Sequence, residues 1–129
     1  MKNKILVIDD DAGIRDFLVR LLKKSGYETI QANDGKTALA MVKEETPDLA
    51  ILDYRMTLVD GLEVLRQIKA FDAGIKVIML TGFATDGLAK SARDFGADGF
   101  LEKGMPNDLL IKSIEDILRK QEPGKRNLL

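Results

Sequence analysis

Histidine and cysteine are both absent from this chain of 129 residues. Without cysteine, the chain can form no disulfide, no thiolate metal site and no cysteine nucleophile. Without histidine, it has no serine-histidine-aspartate triad, no histidine-bound zinc and no phosphohistidine of its own. Any metal must therefore be held by oxygen ligands, which favours Mg²⁺ or Ca²⁺ over zinc.

An excess of charge and a long apolar run are also missing. The 20 basic and 21 acidic residues give a net charge of -1, whereas nucleic-acid-binding proteins typically show a basic excess. We therefore expect no direct nucleic-acid partner. No apolar stretch approaches the roughly 20 residues of a membrane span, and the apolar run after the initial MKNK is too short for a signal peptide. We expect a cytoplasmic protein without membrane contacts.

The composition that remains indicates one globular domain. Hydrophobic residues make up 45% of the chain and charged residues 32%, which is enough apolar material for a compact core. The length falls in the commonest range for a single domain, about 100 to 150 residues. We expect the domain to cover residues 1–121. Residues 122–129 would form a tail or the start of a linker, because Pro123 and Gly124 should end the last helix.

Five short apolar stretches alternate with five helical patterns along the chain. The clearest helical pattern has apolar residues spaced three and four apart, at Ile14, Phe17, Leu18, Leu21 and Leu22. A weaker helical pattern, which begins near Thr85, has a small apolar face at Leu88, Ala89, Ala92 and Phe95. Capping or helix-starting residues precede each helical pattern; they are Asp11, Asn33 with Asp34, Asp60, Thr85 and Pro106. The predicted strands are 4–8, 27–32, 49–52, 76–80 and 98–101.

This alternation predicts an α/β fold with a parallel sheet covered by helices on both faces. Five strand-helix units are too few for an eight-stranded barrel. We therefore predict a three-layer (βα)5 doubly wound parallel sheet with strand order 2-1-3-4-5, which is the flavodoxin-like arrangement. In this order the switch point lies between strands 1 and 3, and ligands of such sheets bind at the carboxyl ends of the strands there.

Chemically useful side chains follow four of the five predicted strands. Asp9 and Asp10 follow the first strand, Asp53 the third, Thr81 the fourth and Lys103 the fifth. Each alone has an ordinary explanation as a helix cap, a solvated strand end, a β-branched strand residue or a surface lysine. Their common position at carboxyl ends favours one shared site instead. Three carboxylates would repel one another there, and a bound Mg²⁺ would relieve that repulsion.

The predicted set of side chains suits phosphoryl transfer. Asp53 is placed to attack phosphorus in line, while Thr81, Lys103 and Mg²⁺ neutralise charge on the equatorial oxygens. Such a reaction requires little beyond positioning and electrostatic stabilisation. The sequence therefore predicts an aspartyl phosphate on Asp53.

Four motifs contain these site residues: KILVIDDDAGIR, PDLAILDYRM with the later Asp60-Gly61, VIMLTG and GADGFLEK. Through these motifs the chain resembles the receiver domain of two-component response regulators, of the single-domain (CheY-like) type. The resemblance covers residue 3 to about residue 120. It implies that Asp53 is the phosphoacceptor, that Asp10 binds Mg²⁺ directly and that Asp9 acts largely through water. It also implies that the backbone carbonyl of Arg55 is a Mg²⁺ ligand.

The resemblance further implies a switch and its partners. Thr81 would close on the phosphoryl oxygens, Lys103 would pair with them, and the Phe100 ring would turn inward as Thr81 moves. The donor would be a phosphohistidine on a sensor histidine kinase or a histidine phosphotransfer protein. A downstream protein would bind the α4-β5-α5 face, made of the fourth and fifth helices and the fifth strand. The chain would be a monomer or weak dimer that catalyses only its own phosphorylation and dephosphorylation.

Two positions depart from the family pattern. Thr57 stands where the family usually has proline in the loop after the acceptor. Gly104 stands where the family usually has proline after the lysine, in a cis peptide, so the conformation of the Lys103-Gly104 bond is open. In addition, Arg55 and Phe83 would flank the path of a hydrolytic water, so we expect slow loss of the phosphoryl group.

Two other functions stay open from the residues alone. The first is a small haloacid-dehalogenase-like phosphatase, since Asp9 and Asp11 superficially fit its Asp-x-Asp nucleophile motif. Against it, Ala12-Gly13 replaces the expected threonine, and the length leaves no room for a cap domain. The second is a receiver-fold binding module that has lost phosphotransfer, which the two missing prolines would motivate.

Overall fold

The computed structural model describes residues 2–56 and 59–120. Strands and helices alternate strictly through these residues, as the sequence predicts. The strands are β1 (Lys4–Ile8), β2 (Glu28–Ala32), β3 (Leu49–Leu52), β4 (Lys76–Thr81) and β5 (Gly99–Glu102). The helices are α1 (Ala12–Lys24), α2 (Gly35–Glu45), α3 (Gly61–Phe71), α4 (Asp86–Asp94) and α5 (Asn107–Arg119).

All five strands are parallel and form one sheet in the order β2-β1-β3-β4-β5. This confirms the predicted fold class and strand order. In the centre of the sheet Ile5 pairs with Leu49, and Ile8 pairs with Leu52. The carboxyl ends of β1 and β3 therefore lie side by side at the switch point.

Two hydrophobic clusters cover the two faces of the sheet, which makes the three layers. One cluster contains buried residues of α2, α3 and α4, and the other contains buried residues of α1 and α5. Alternate residues of a strand point to opposite faces, so Leu6 joins the first cluster and Val7 the second. Because both faces are covered, the central strands are apolar without interruption.

Side-chain caps begin four of the helices where the sequence predicts them. Asp11 accepts backbone N–H bonds from Gly13 and Ile14, which begins α1. Asp34, Asp60 and Thr85 likewise accept an N–H at the starts of α2, α3 and α4. α5 follows Pro106 and has no side-chain cap bond. The predicted end of the last helix at Pro123-Gly124, the tail at 122–129 and the Thr57 position all lie outside the described residues.

Two aromatic side chains of the predicted apolar helix faces are exposed instead. Phe17 is 49% exposed and Phe95 is 42% exposed. In α1, Leu18, Val19 and Leu22 are the buried residues, so Phe17 lies at the margin of the buried face. Phe95 is the residue that caps α4 at its carboxyl end, where the helical phase no longer holds the ring over the sheet. Within the described parts of the chain, no helix combines the length and apolar character needed to span a membrane.

Candidate functional site

Backbone hydrogen bonds beyond the strand ends place the predicted site residues together at the carboxyl end of the sheet. Asp53 donates its N–H to the Ile8 carbonyl at 3.3 Å, and Asp9 donates its N–H to the Ala32 carbonyl at 3.2 Å. On the other side, Lys103 donates its N–H to the carbonyl of Thr81 at 3.0 Å. The parallel ladder thus continues one residue past the strands and fixes these residues on a rigid frame.

The Lys103 ammonium lies between two buried carboxylates. Its Nζ is 2.6 Å from Asp53 Oδ2 and 3.0 Å from Asp9 Oδ2. Asp9 and Asp53 are only 3% and 7% exposed. Burial alone would lower the pKa of Lys103, but its hydrogen bonds to Asp53 and Asp9 and their negative charge outweigh burial, so its pKa is raised. The lysine is therefore a firmly protonated partner for both acids.

The carboxylate oxygens of the site are suitable ligands for a hard cation, although the Lys103 ammonium occupies the space between Asp9 and Asp53. Within residues 2–56 and 59–120, no three acidic side chains converge as a ready-made metal cage. The carboxylates of Asp9 and Asp53 nevertheless share one cationic partner, and Asp10 is exposed at the same strand end. These are oxygen donors of the kind that Mg²⁺ prefers. The residues fit Mg²⁺ if the Lys103 side chain moves off Asp9.

Asp9 is held at several further points. Its Oδ1 accepts the N–H of Asp11 at 2.9 Å. Its carbonyl accepts a bond from Arg15 Nη1 at 2.8 Å, and Arg15 Nε donates to Gln31 Oε1 at 3.2 Å. Sequence reasoning missed Arg15, although a basic residue one turn after a helix cap can reach back to the preceding strand end.

Thr81 is almost completely buried at the end of β4, with 1% of its surface exposed. Its Oγ1 accepts the backbone N–H of Phe83 at 3.1 Å. The hydroxyl proton is not needed for that bond, so it can be donated to another acceptor. Thr81 therefore supplies a hydroxyl group at the edge that holds Asp53.

Phe83 connects the loop after β4 with the loop after β3. The Arg55 guanidinium carbon is 4.0 Å from the centre of the Phe83 ring. The Tyr54 ring stacks on the same phenylalanine with centroids 6.0 Å apart and planes inclined by 13°. A cation-π contact at an exposed site is worth about 0.5 to 1 kcal/mol. The stack thus forms a weak bridge between two loops of the site, as expected for residues next to Asp53 and Thr81.

Phe100 lies on β5 and is half-buried. It packs against the cluster of α2, α3 and α4. It also lines a surface cavity together with Thr85, Ala89 and Met105. The ring therefore stands at the boundary between core and surface, beside α4.

The Lys103-Gly104 bond is trans, because the described residues contain no cis peptide. Gly104 has φ of +92°, a left-handed conformation that glycine adopts readily and that the fixed ring of proline forbids. The structure thus answers the question that the sequence left open. Lys103 reaches both acids from a turn that a lysine-proline pair could not form.

Gly61 holds the backbone of the loop that carries Asp53. Its N–H donates to the Tyr54 carbonyl at 2.8 Å. A Cβ at Gly61 would lie 2.3 Å from the Asp53 carbonyl oxygen. Only glycine therefore fits at the start of α3, where the chain returns past Asp53.

Comparison with known protein families gives one match over most of the chain. The family model described as "Response regulator receiver domain" matches residues 5–115. The chain is 38% identical over 127 residues to sporulation initiation phosphotransferase F of Bacillus subtilis, covering 98% of this chain and 99% of that protein. It is also 37% identical over 120 residues to response regulator MprA of Mycobacterium leprae. That match covers 93% of this chain and 53% of MprA, so the chain spans about half the length of that relative.

Solved structures also resemble this chain over nearly its whole length. A CheY-like response regulator receiver domain protein from Methanospirillum hungatei has a TM-score of 0.92 at 30% identity, covering 96% of this chain and 99% of that chain. NtrX from Brucella abortus has a TM-score of 0.90 at 34% identity, covering 98% of this chain but 29% of that chain. The fold described above thus recurs in a protein of about this length and as part of a longer one.

Proposed function

The chain belongs to the family of response regulator receiver domains and is a phosphoacceptor signalling domain, and on that premise we propose that Asp53 is the residue that is phosphorylated. The observation that carries the proposal is the buried Asp53 carboxylate at the end of β3, paired with Lys103 at 2.6 Å. Such a carboxylate is rigidly placed, electrostatically prepared and located where ligands of this fold bind.

In the proposed reaction the donor is a phosphohistidine on a sensor histidine kinase or a histidine phosphotransfer protein. An Asp53 carboxylate oxygen attacks phosphorus and forms the new P–O bond. The P–N bond of the donor breaks, and its electron pair leaves with the imidazole. Similarity along the whole length of a protein named as a phosphotransferase supports a place in a phosphorelay.

Lys103 and Thr81 are the groups of this chain that we propose to stabilise the transferred phosphoryl group. The ammonium already lies beside the attacking carboxylate and can bond a phosphoryl oxygen once the transfer has occurred. The Thr81 hydroxyl, which accepts from Phe83, keeps its proton for a second phosphoryl oxygen. Both act by placing positive charge or a donor where negative charge accumulates.

The same site would hold Mg²⁺ on the carboxylates of Asp9, Asp10 and Asp53 and on the backbone carbonyl of Arg55. The cation would neutralise charge on the phosphoryl oxygens during transfer. Lys103 would have to give up its bond to Asp9, which is the longer of its two bonds to acids at 3.0 Å. Its bond to Asp53 is compatible with the proposed chemistry.

Phosphorylation would change the affinity of a surface rather than start an enzymatic reaction on another substrate. We infer that Thr81 and Phe100 move together and thereby alter the α4-β5-α5 face, where a downstream protein binds. Phe100 already lies between the core and the cavity beside α4. A ligand or modification shifts such an equilibrium only by its differential interaction with the two states.

The lifetime of the phosphoryl group would depend on the stack of Phe83, Arg55 and Tyr54. Phe83 belongs to the loop after Thr81, and the other two residues follow Asp53 directly. The stack bridges the two loops beside the acceptor, and we infer that it restricts the approach of water from that side. We infer that Asp53 loses its phosphoryl group slowly.

Family membership speaks against the phosphatase alternative. The Asp11 carboxylate accepts two N–H bonds as the cap of α1, which disfavours its use as the companion acid of Asp9 in an Asp-x-Asp nucleophile pair. A receiver-fold binding module without phosphotransfer is the competing proposal. The intact set of Asp53, Thr81 and Lys103 favours phosphotransfer.

Intact mass measured after incubation with acetyl phosphate and Mg²⁺ distinguishes phosphorylation of Asp53 from a binding module without phosphotransfer. The wild-type chain should gain one phosphoryl group, and Asp53→Asn should gain none. Asp86→Asn is the matched control, because it removes an exposed carboxylate from the first turn of α4 and should be labelled like wild type. An unlabelled wild-type chain, or equal labelling of Asp53→Asn, would refute the proposal.

A further inference from the structure

We propose that Arg15 is a positioning residue for the Mg²⁺ site, because it fixes the peptide group that joins Asp9 to Asp10. The inference rests on the proposed function, since it assumes that these two carboxylates bind Mg²⁺. Arg15 lies on α1 and not at a strand end. It acts through the backbone of Asp9 and is not itself a ligand.

The contact that carries the inference is made to a main-chain atom. Arg15 Nη1 donates to the Asp9 carbonyl oxygen at 2.8 Å. That carbonyl belongs to the peptide group between Asp9 and Asp10, whose plane sets ψ of the first acid and φ of the second. The directions in which both carboxylates leave the chain therefore depend on this one plane.

The ladder reaches the N–H of Asp9 but, among the described residues, no strand supplies a donor to its carbonyl. β1 ends at Ile8, so Asp9 lies just beyond the paired residues. The N–H of Asp9 still reaches the Ala32 carbonyl at 3.2 Å, while its own carbonyl bonds to Arg15. The Arg15 guanidinium thus supplies the hydrogen-bond donor that a neighbouring strand would supply inside the sheet.

Arg15 is in turn held by a second bond. Its Nε donates to Gln31 Oε1 at 3.2 Å, and Gln31 lies on the neighbouring strand β2. A planar guanidinium presents several N–H groups in fixed directions and can bond both acceptors at once. A lysine ammonium keeps the charge but lacks this fork, so Arg15→Lys separates geometry from charge.

Charge and geometry predict opposite effects on Mg²⁺ affinity. If Arg15 acted only through its charge, Arg15→Gln would bind Mg²⁺ more tightly and Arg15→Lys would match wild type. If Arg15 positions the peptide, both variants bind Mg²⁺ more weakly. Removing a group that orients metal ligands typically costs about tenfold or more in affinity, so we expect a rise of about that size in the Mg²⁺ dissociation constant.

The test is a titration of the full chain with Mg²⁺ alone, in which two-dimensional amide NMR spectra recorded at each Mg²⁺ concentration report binding. Arg20→Gln is the matched control, since it removes another arginine of α1. The Arg20 side chain is 80% exposed and, among the ion pairs of the described residues, pairs only with Asp16. We expect its affinity to stay within about twofold of wild type, because salt screens distant surface charges. Gln31→Leu removes the second anchor of Arg15 and should weaken binding in the same direction, by less.

Each outcome of the titration is informative. Unchanged affinity in Arg15→Lys, or tighter binding in Arg15→Gln, would overturn the positioning role and leave the proposed function intact. If wild type itself bound no Mg²⁺, both the inference and the proposed metal site would be overturned. Amide dispersion shows whether each variant is folded, and if Arg15→Gln is not, the affinities of Arg15→Lys and Gln31→Leu decide whether Arg15 positions the site.

A rate measurement adds a readout that a general loss of structure would not mimic. At saturating Mg²⁺, Arg15→Lys should be labelled by acetyl phosphate at the wild-type rate, because only metal affinity has been lost. A rate that stays low at saturating Mg²⁺ would overturn the assignment of Arg15 to the metal site.

Discussion

Replacing Gly61 by alanine tests how tightly the backbone of the acceptor residue is held. The added Cβ would lie 2.3 Å from the Asp53 carbonyl oxygen and 2.8 Å from the Tyr54 Cα. Because both are main-chain atoms, no side-chain rotation can relieve the clash, and the loop after β3 must move. That movement also weakens the bond from the Gly61 N–H to the Tyr54 carbonyl.

The expected loss of stability follows from three contributions. Overpacking a close contact costs about 1 to 3 kcal/mol, and weakening one hydrogen bond costs about 1 kcal/mol. Alanine recovers up to about 1 kcal/mol through its better helix propensity. The net effect on the free energy of unfolding is therefore a loss of about 1 to 3 kcal/mol.

Urea denaturation of the full chain measures this loss. With a slope of about 2 kcal/mol per molar urea, the midpoint for Gly61→Ala should fall by roughly 0.5 to 1.5 M. Gly87→Ala is the control, because its Cβ would meet nothing within 4 Å, so the midpoint should stay or rise slightly. A Gly61→Ala midpoint equal to wild type would refute the reasoning, since the acceptor loop would then adjust without cost.

The same two variants separate stability from chemistry. Displacing Asp53 should slow labelling by acetyl phosphate by about tenfold or more, because small errors in the position of a reacting group are costly. Gly87→Ala should be labelled at the wild-type rate. Normal labelling of a destabilised Gly61→Ala would mean that the loop relaxes away from the carboxylate and not toward it.

Three further predictions concern the Phe83 stack, the Lys103 ammonium and the dependence of stability on pH below 4.5. Phe83→Ala should shorten the lifetime of the aspartyl phosphate, measured as decay of the phosphorylated mass, and an unchanged decay rate would contradict the shielding role. Lys103→Met should bind Mg²⁺ more tightly than wild type in an amide NMR titration, because no ammonium then competes for Asp9; weaker binding would count against that competition. Hydrogen bonds from the Arg66 guanidinium and, second, from the Gln67 amide lower the pKa of the Glu63 carboxyl from 4.5 to about 2. The stability from these contacts is therefore present above pH 4.5 and is lost as the pH falls toward 2. Arg66→Gln should therefore flatten the acid slope of unfolding stability in that interval, by a small amount because both side chains are exposed, and an unaltered slope would show that the pair contributes nothing.

Residue spacing predicts the fold well because the same physical constraints act locally and globally. The uninterrupted apolar residues of β3 follow from burial on both faces, and Asp34 caps α2 because a carboxylate satisfies an otherwise unpaired N–H. Phe17 and Phe95 were wrongly predicted as apolar-face residues because periodicity does not tell where a helix runs off the sheet.

The contacts inside the site depend on details that spacing does not carry. Lys103 forms ion pairs with both Asp9 and Asp53. It does so from a turn at Gly104, whose φ of +92° no sequence pattern specifies. Arg15 was missed because its partner is a main-chain carbonyl across the gap between α1 and β1. Side-chain reach across elements is set by packing, so it appears only in three dimensions.

The position of β5 at the edge of the sheet has a mechanical consequence. An edge strand is joined by one ladder, here to β4, so shifting it strains half as many backbone bonds as shifting a central strand. Its neighbouring residues Phe100 and Leu101 pack into the opposite clusters, beside α4 and α5 respectively. We therefore expect a small rotation of β5 to change the packing beside α4 and beside α5 together, because Phe100 and Leu101 lie on the same strand.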